Sequence, residues 1–132
     1  MIDTQERAIG EAESWLVSAK DKLALAENDG AAANVCCALA IHAIIRANDA
    51  LTLCFLRLKA TRHDDAPSLF SKMLAQGKVG AESRRFLRLL QKAMADKSSA
   101  DYGKGVFGYE AAKKYVEDAE EFVADTKGKV RL

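Results

Sequence analysis

Apolar residues recur every three or four positions along most of the 132-residue chain, which is the spacing of one buried helix face. The first such segment extends from about Asp3 or Thr4 to Glu27, and the turn-forming run Asn28-Asp29-Gly30 is expected to end it. The residues that form its apolar seam are Ile9, Ala12, Leu16, Ala19, Leu23 and Ala26. The pattern predicts one amphipathic helix.

The second segment, about Ala31 to Leu58, is the most apolar part of the chain. Small residues form one stripe along it and larger residues form another, so the apolar arc is unusually wide. The small stripe is Cys36, Ala40, Ala43, Ala47, Ala50 and Cys54, and the large stripe is Cys37, Ile41, Ile44, Leu51, Phe55 and Leu58. We expect this helix to be central, and its surplus apolar surface favours self-association.

Three further segments with helical spacing follow. Asp64 or Asp65 is expected to cap the first of them, with Pro67 in its first turn, where a missing N–H costs nothing. Residues 98–108 contain several glycines and are expected to form an exposed loop. The expected bounds are about Asp65 to Gly77, Gly80-Ala81 to about Lys97, and about Tyr109 to Lys127 with Gly128 closing the last helix.

The composition agrees with an all-α protein, because the chain has one proline, eight glycines and 49% apolar residues, mostly Leu and Ala. We therefore predict a single domain over residues 1–132, an up-and-down antiparallel bundle of four to five helices. An odd number of cysteines inside an apolar helix indicates buried thiols in a reducing compartment. With no signal-peptide pattern, and with the apolar run 35–45 too short to span a bilayer, we expect a cytoplasmic protein without membrane contact.

Three polar residues of the second helix, His42, Arg46 and Asp49, lie on one line at helical spacing. They form either the solvated edge of the helix, with Arg46 and Asp49 as a local ion pair, or part of a symmetric interface or ligand groove. We favour the solvated edge. His42 and His63 lie in different elements without metal-ligand spacing, so we predict no metal and no cofactor.

The fourth segment carries four basic residues, Arg84, Arg85, Arg88 and Lys92, of which the last three share a helix face. Residues 58–105 hold 10 basic and 5 acidic residues, whereas residues 1–57 hold 5 and 8. This local positive charge could attract a phosphate-bearing ligand, RNA or an acidic partner. No aromatic residues alternate with the basic ones, as stacking on bases requires, and we favour a solvated face.

Several segments, taken in order, carry a family resemblance. They are Ala38 to Leu51, His63 followed by Leu69-Phe70 and Gly77, Ala100-Asp101-Tyr102-Gly103, Glu110-Ala111-Ala112 and Ala119 to Phe122. The first segment resembles the long second helix of HEPN domains (higher eukaryotes and prokaryotes nucleotide-binding), and the second resembles their short third helix. The remaining three segments resemble their loop and last helix. The likeness covers about residues 10 to 125.

This resemblance implies a bundle that dimerises and accompanies a small nucleotidyltransferase, either as its substrate-binding partner or as the toxin that it neutralises. Toxin-type members are metal-independent RNases with a short Arg…His motif at the junction leading into the later helices. The corresponding stretch here, Asp96 to Tyr102, contains neither Arg nor His. We therefore predict a non-catalytic module that binds a nucleotide or a nucleotidyltransferase, and not DNA. The expected ligand-binding residues are Arg84, Arg88, Lys97, Asp101 and Tyr102.

Two alternatives stay open. Arg57 and His63 enclose five residues, a spacing that could pair a charge stabiliser with a general acid or base, so the chain could be an RNase toxin of a toxin–antitoxin pair. The other alternative is a structural protein that only self-associates.

Overall fold

The computed structural model describes residues 3–102 and 107–130, with the backbone only for His63 and Tyr102. Five α-helices make up the fold, and the described residues contain no β-strand. Short 3₁₀ turns directly precede the third and fourth helices. The helices are α1 (Gln5–Leu23), α2 (Gly30–Leu56), α3 (Ala66–Ala75), α4 (Arg84–Tyr102) and α5 (Tyr109–Val130). The predicted all-α antiparallel bundle is confirmed.

Helix α2 lies at the centre of the bundle. It contacts each of the other four helices, and α1 and α5 most extensively. Its two predicted stripes are largely buried inside the chain, so most of the wide apolar arc is covered by the protein's own helices. The largest fully buried side chains are Tyr115, Phe70, Phe122, Ile41, Ile44 and Leu51.

Small residues bring α1 and α2 close together. Ala12 and Ala19 of α1 and Ala40 and Ala43 of α2 are completely buried. The Cys36 thiol donates a hydrogen bond to the carbonyl oxygen of Ala19 at 3.2 Å, a contact that only closely spaced helices permit. The small-residue stripe therefore permits close helix packing within the monomer.

The first helix begins as predicted and ends earlier. The Thr4 side chain accepts a hydrogen bond from the Arg7 backbone N–H at 3.1 Å, which caps α1. The helix stops at Leu23 rather than near Glu27. The Asn28-Asp29-Gly30 run begins α2 instead of ending α1, because the Asp29 side chain accepts the backbone N–H groups of the first turn of α2 at 3.0 and 3.1 Å.

The predicted loop at residues 98–108 is wrong over 98–102, where α4 continues. Long-range contacts stabilise this extra turn: Ala100 is buried, and the Asn34 side-chain amide donates to the Ala100 carbonyl oxygen at 2.8 Å. Residues 103–106 of the predicted loop lie outside the described residues. Helix α5 likewise continues past Gly128 to Val130, whose carbonyl oxygen accepts the Gln5 side-chain amide at 3.0 Å.

The third helix follows the prediction closely. Pro67 lies in its first turn, and Gly77 follows its end with a φ of +69°, a left-handed conformation that favours glycine. Asp65 occupies the N-cap position, but its side chain makes no capping hydrogen bond.

Helix α2 is long and apolar enough to cross a membrane by length and composition alone. More than half of its most apolar window is buried against the other helices, and it contains the ion-paired Arg46 and Asp49. We interpret it as the core helix of the bundle.

Candidate functional site

The polar line of α2 does not form a solvated edge at Arg46 and Asp49, so that expectation is wrong there. Only 14% of the Arg46 side chain and 12% of the Asp49 side chain are exposed. The Arg46 guanidinium donates to Glu11 at 2.7 Å, to both Asp3 oxygens at 2.8 Å and to Asp49 at 3.0 Å. The expected local pair with Asp49 is therefore one part of a larger network, which we call the Arg46 cluster.

The Arg46 cluster has opposite effects on its carboxylates. Hydrogen bonds from Arg46 hold the pKa of Asp3 far below its usual range, and they also lower the pKa of Glu11. At Asp49, burial raises the pKa by more than the hydrogen bond from Arg46 lowers it, so the pKa of this carboxyl is raised. Lys59 adds an ion pair to Asp3 at 3.1 Å. The donors of Arg46 are used by three carboxylates, so Arg46 links Asp3, which precedes the N-cap of α1, to α2. For the same reason it is poorly placed to bind an anion.

One turn before Arg46, His42 joins residues from three helices. Its ring stacks on the Trp15 indole of α1, with ring centroids 4.9 Å apart and an angle of 24° between the planes. Its Nε2 lies 3.3 Å from an Asp101 carboxylate oxygen of α4. Lys97, one turn before Asp101, approaches the second carboxylate oxygen to 2.7 Å. We call Trp15, His42, Lys97 and Asp101 the Trp15 site.

The Trp15 site is accessible and adjoins a cavity. The indole is 38% exposed and the His42 side chain is 28% exposed. A cavity of about 390 Å³ lies beside the indole, lined by Glu11, Ser14, Trp15 and Ser18. The site thus presents an aromatic surface, two hydroxyl groups and an ion pair to solvent.

Trp15 was not among the residues that the sequence pattern indicated. It is the only tryptophan, and it lies off the buried seam of α1, next to Leu16. A large aromatic residue outside the apolar face of an amphipathic helix was the available signal. Its stacking partner His42 is 27 positions away, and Asp101, which contacts His42, is 86 positions away, so spacing within α1 could not reveal them.

The predicted ligand-binding residues whose side chains the structure describes, Arg84, Arg88, Lys97 and Asp101, do not form one site. Arg88 and Lys97 are nine positions apart, about two and a half helical turns, which places them on opposite faces of α4. Asp101 contacts His42 of α2 and Lys97 pairs with Asp101, whereas the exposed Arg88 lines a cleft that α4 forms with α5. Arg84, the first residue of α4, is exposed and does not line that cleft. The Tyr102 side chain lies outside the described part of the chain. Arg88 therefore lies on one surface of α4, and Lys97 and Asp101 lie on another.

The RNase pair stays a prediction. Arg57 is exposed at the C-terminal end of α2 in a left-handed conformation, with φ of 58°. The His63 side chain is not among the described atoms. Over residues 3–102 and 107–130, no group of three or more His, Cys, Asp or Glu side chains is placed to hold a metal ion.

No family model matches this chain, and no curated protein matches it in sequence.

Proposed function

We propose that this protein is a non-catalytic, HEPN-like binding module that binds a nucleotide through the Trp15 site. The observation that carries the proposal is the meeting of His42, from the α2 segment that resembles the family, with Asp101, from the Ala-Asp-Tyr segment. These two parts of the resemblance are far apart in sequence, and they contact each other beside an exposed aromatic ring.

The chemistry of the Trp15 site suits a nucleobase and its sugar. Stacking on an exposed aromatic ring is the sequence-tolerant way in which proteins hold bases. The stacked His42 ring supports the indole, and Ser14 and Ser18 offer hydroxyl groups to a ribose. The cavity of about 390 Å³ falls in the lower part of the usual range for small-molecule sites, roughly 300–1,000 Å³.

The fluorescence of Trp15 provides a direct test, since the chain has no other tryptophan. We expect adenosine, guanosine, ATP or GTP to quench this fluorescence saturably, and calorimetry to give the same affinity. His42→Ala should weaken binding about tenfold by removing the support of the indole. Val17→Ala, a change at an exposed residue of the same helix, is the matched control and should bind as the wild type does. If none of the four compounds changes the fluorescence or releases heat, the proposal is wrong.

A homodimer and a nucleotidyltransferase partner belong to the same proposal and rest on the resemblance alone. The surplus apolar arc of α2 no longer supports dimerisation, because most of it is covered within the chain. Light scattering of the purified chain, and native mass measurement after co-expression with the neighbouring gene product, test this part. A monomer that forms no complex contradicts it while leaving nucleotide binding at Trp15 to its own test.

A further inference from the structure

A cleft between α4 and α5 collects basic side chains on the face of α4 opposite to the Trp15 site. It has a volume of about 350 Å³. Four basic residues line it against two acidic ones, and its apolar wall is Phe86 and Leu89. The charged lining residues are Arg85, Arg88, Lys92, Lys114, Asp118 and Glu121. The cleft therefore carries a net excess of two positive charges.

The basic residues of this cleft differ in how far they are already paired. Arg85 forms an ion pair with Glu121, and its guanidinium also lies 4.2 Å from the centre of the Phe86 ring. Lys114 pairs with Asp118 at 2.9 Å. These contacts use both carboxylates of the cleft on two of its four cations.

The other two cations account for the excess charge. Lys92 lies 4.1 Å from the centre of the Tyr115 ring. Its ion pair with Asp96 is long, with 3.8 Å between the Nζ atom and the nearest carboxylate oxygen. Arg88 makes no hydrogen bond or ion pair with any of the described residues. A guanidinium has five N–H donors in a planar fork that matches two oxygens of a phosphate group.

We propose that the α4–α5 cleft binds a small phosphate-bearing anion, with Arg88 as the bidentate ligand and Lys92 as the second positive charge. Arg88 and Lys92, which are not paired with the cleft's own carboxylates, suit a ligand with two phosphate groups, such as a pyrophosphate ester. Asp118 and Glu121 lie within the cleft lining and interrupt its positive surface. A continuous RNA strand would require a longer basic track with exposed aromatic residues, which favours a small ligand here.

Calorimetric titration of the full chain with inorganic pyrophosphate tests this proposal, with Arg88→Gln as the main variant. Arg88 is exposed, and arginine and glutamine have similar helix propensities, so the variant should fold as the wild type does. We expect Arg88→Gln to weaken pyrophosphate binding at least tenfold, because it removes a charge-assisted bidentate contact. Lys113→Gln, which removes one positive charge from an exposed α5 residue outside the cleft lining, should change the affinity less than about twofold.

Three results would overturn the proposal. These are no heat with millimolar pyrophosphate, equal affinities of Arg88→Gln and the wild type, or binding that occurs only with oligoribonucleotides and strengthens with their length. The outcome is independent of the Trp15 site, since adenosine and guanosine carry no phosphate and pyrophosphate carries no base. Loss of nucleoside binding with intact pyrophosphate binding would contradict the proposed function alone.

Discussion

Arg46→Met leaves the buried carboxylate of Asp49 without its partner and should destabilise the fold strongly. Removing one member of a buried ion pair costs about 3–5 kcal/mol, and the 12–17% exposure of the Asp3 and Asp49 side chains argues for the lower end, about 3 kcal/mol. With a urea m value of about 1.5 kcal/mol/M, the unfolding midpoint falls by about 2 M. Urea denaturation followed by far-UV circular dichroism measures this shift.

A matched arginine and a double variant separate the buried network from a general charge effect. Arg7 pairs with the same Glu11 at 3.2 Å, but its side chain is 47% exposed, so Arg7→Met should cost less than about 1 kcal/mol. Adding Asp49→Leu to Arg46→Met replaces the buried charge by an apolar side chain and should restore most of the lost stability. Equal midpoints for Arg46→Met and Arg7→Met would refute the reasoning.

The pH dependence of Arg46→Met provides a second, independent check. Asp3 and Glu11 have lowered pKa values in the folded wild type, so their contribution is present above their unfolded pKa and is lost as the pH falls through the folded one. Asp49 has a raised pKa and acts in the opposite direction, and without Arg46 its pKa should rise further. The stability difference between wild type and Arg46→Met should therefore narrow in two stages: between pH 7 and about 4 as the unpaired Asp49 of the variant takes up a proton, and below about pH 4 as Asp3 and Glu11 of the wild type do. A difference that does not change with pH would contradict this account.

The remaining predictions concern side chains outside the Arg46 cluster. Cys36 and Cys37 are buried, and the pKa values of their thiols are raised to about 11 and 12. A thiol reagent should therefore label Cys54, which is half-buried, and neither of the other two in the native protein, and Cys54→Ser should abolish native labelling. Tyr115→Phe should cost about 1 kcal/mol in urea denaturation, because a buried hydroxyl that donates to a carboxylate is lost. Gly77→Ala should cost about 1 kcal/mol from its left-handed backbone alone, since the space around its α-carbon is open, and an unchanged urea midpoint would contradict this.

Helix number and order could be predicted from spacing because each helix buries a face whose period is visible in the sequence. Ala12, Leu16 and Ala19 mark the buried face of α1, and all three are buried. Helix ends were predicted less well where distant residues determine them. The last turn of α4 depends on the contact between Asn34 and the Ala100 carbonyl, 66 positions away, and no local signal in the Ser-Ser-Ala-Asp stretch reports it.

The candidate site could be predicted only in part, for the same physical reason. His42 and Asp101 were recognised as separate candidates, but spacing along a helix gives only which face a residue occupies, not what lies opposite. The Arg46 line was interpreted as solvated because its only local partner is Asp49, whereas two of its three carboxylate partners, Asp3 and Glu11, come from another part of the chain. Whether a line of polar residues on a helix is exposed to solvent or buried depends on partners that are distant in sequence.

The angular positions of residues around α4 place the two proposed binding sites on different faces of this helix. The predicted ligand set, which follows the family resemblance, includes both Arg88 and Lys97. The two residues are half a turn out of phase on α4, so Arg88 points towards α5 and Lys97 lies on the side of Asp101 and α2. An α-helix with its side chains is roughly 10 Å across, and the core-facing residues of α4 lie between the two surfaces. One small ligand cannot contact both, so a nucleotide held at Trp15 would not place its phosphates on Arg88. The aromatic rings at the cleft, Phe86 and Tyr115, are buried, whereas at the Trp15 site the ring is exposed and Lys97 is already paired with Asp101. The two surfaces are therefore best understood as two sites with different ligands.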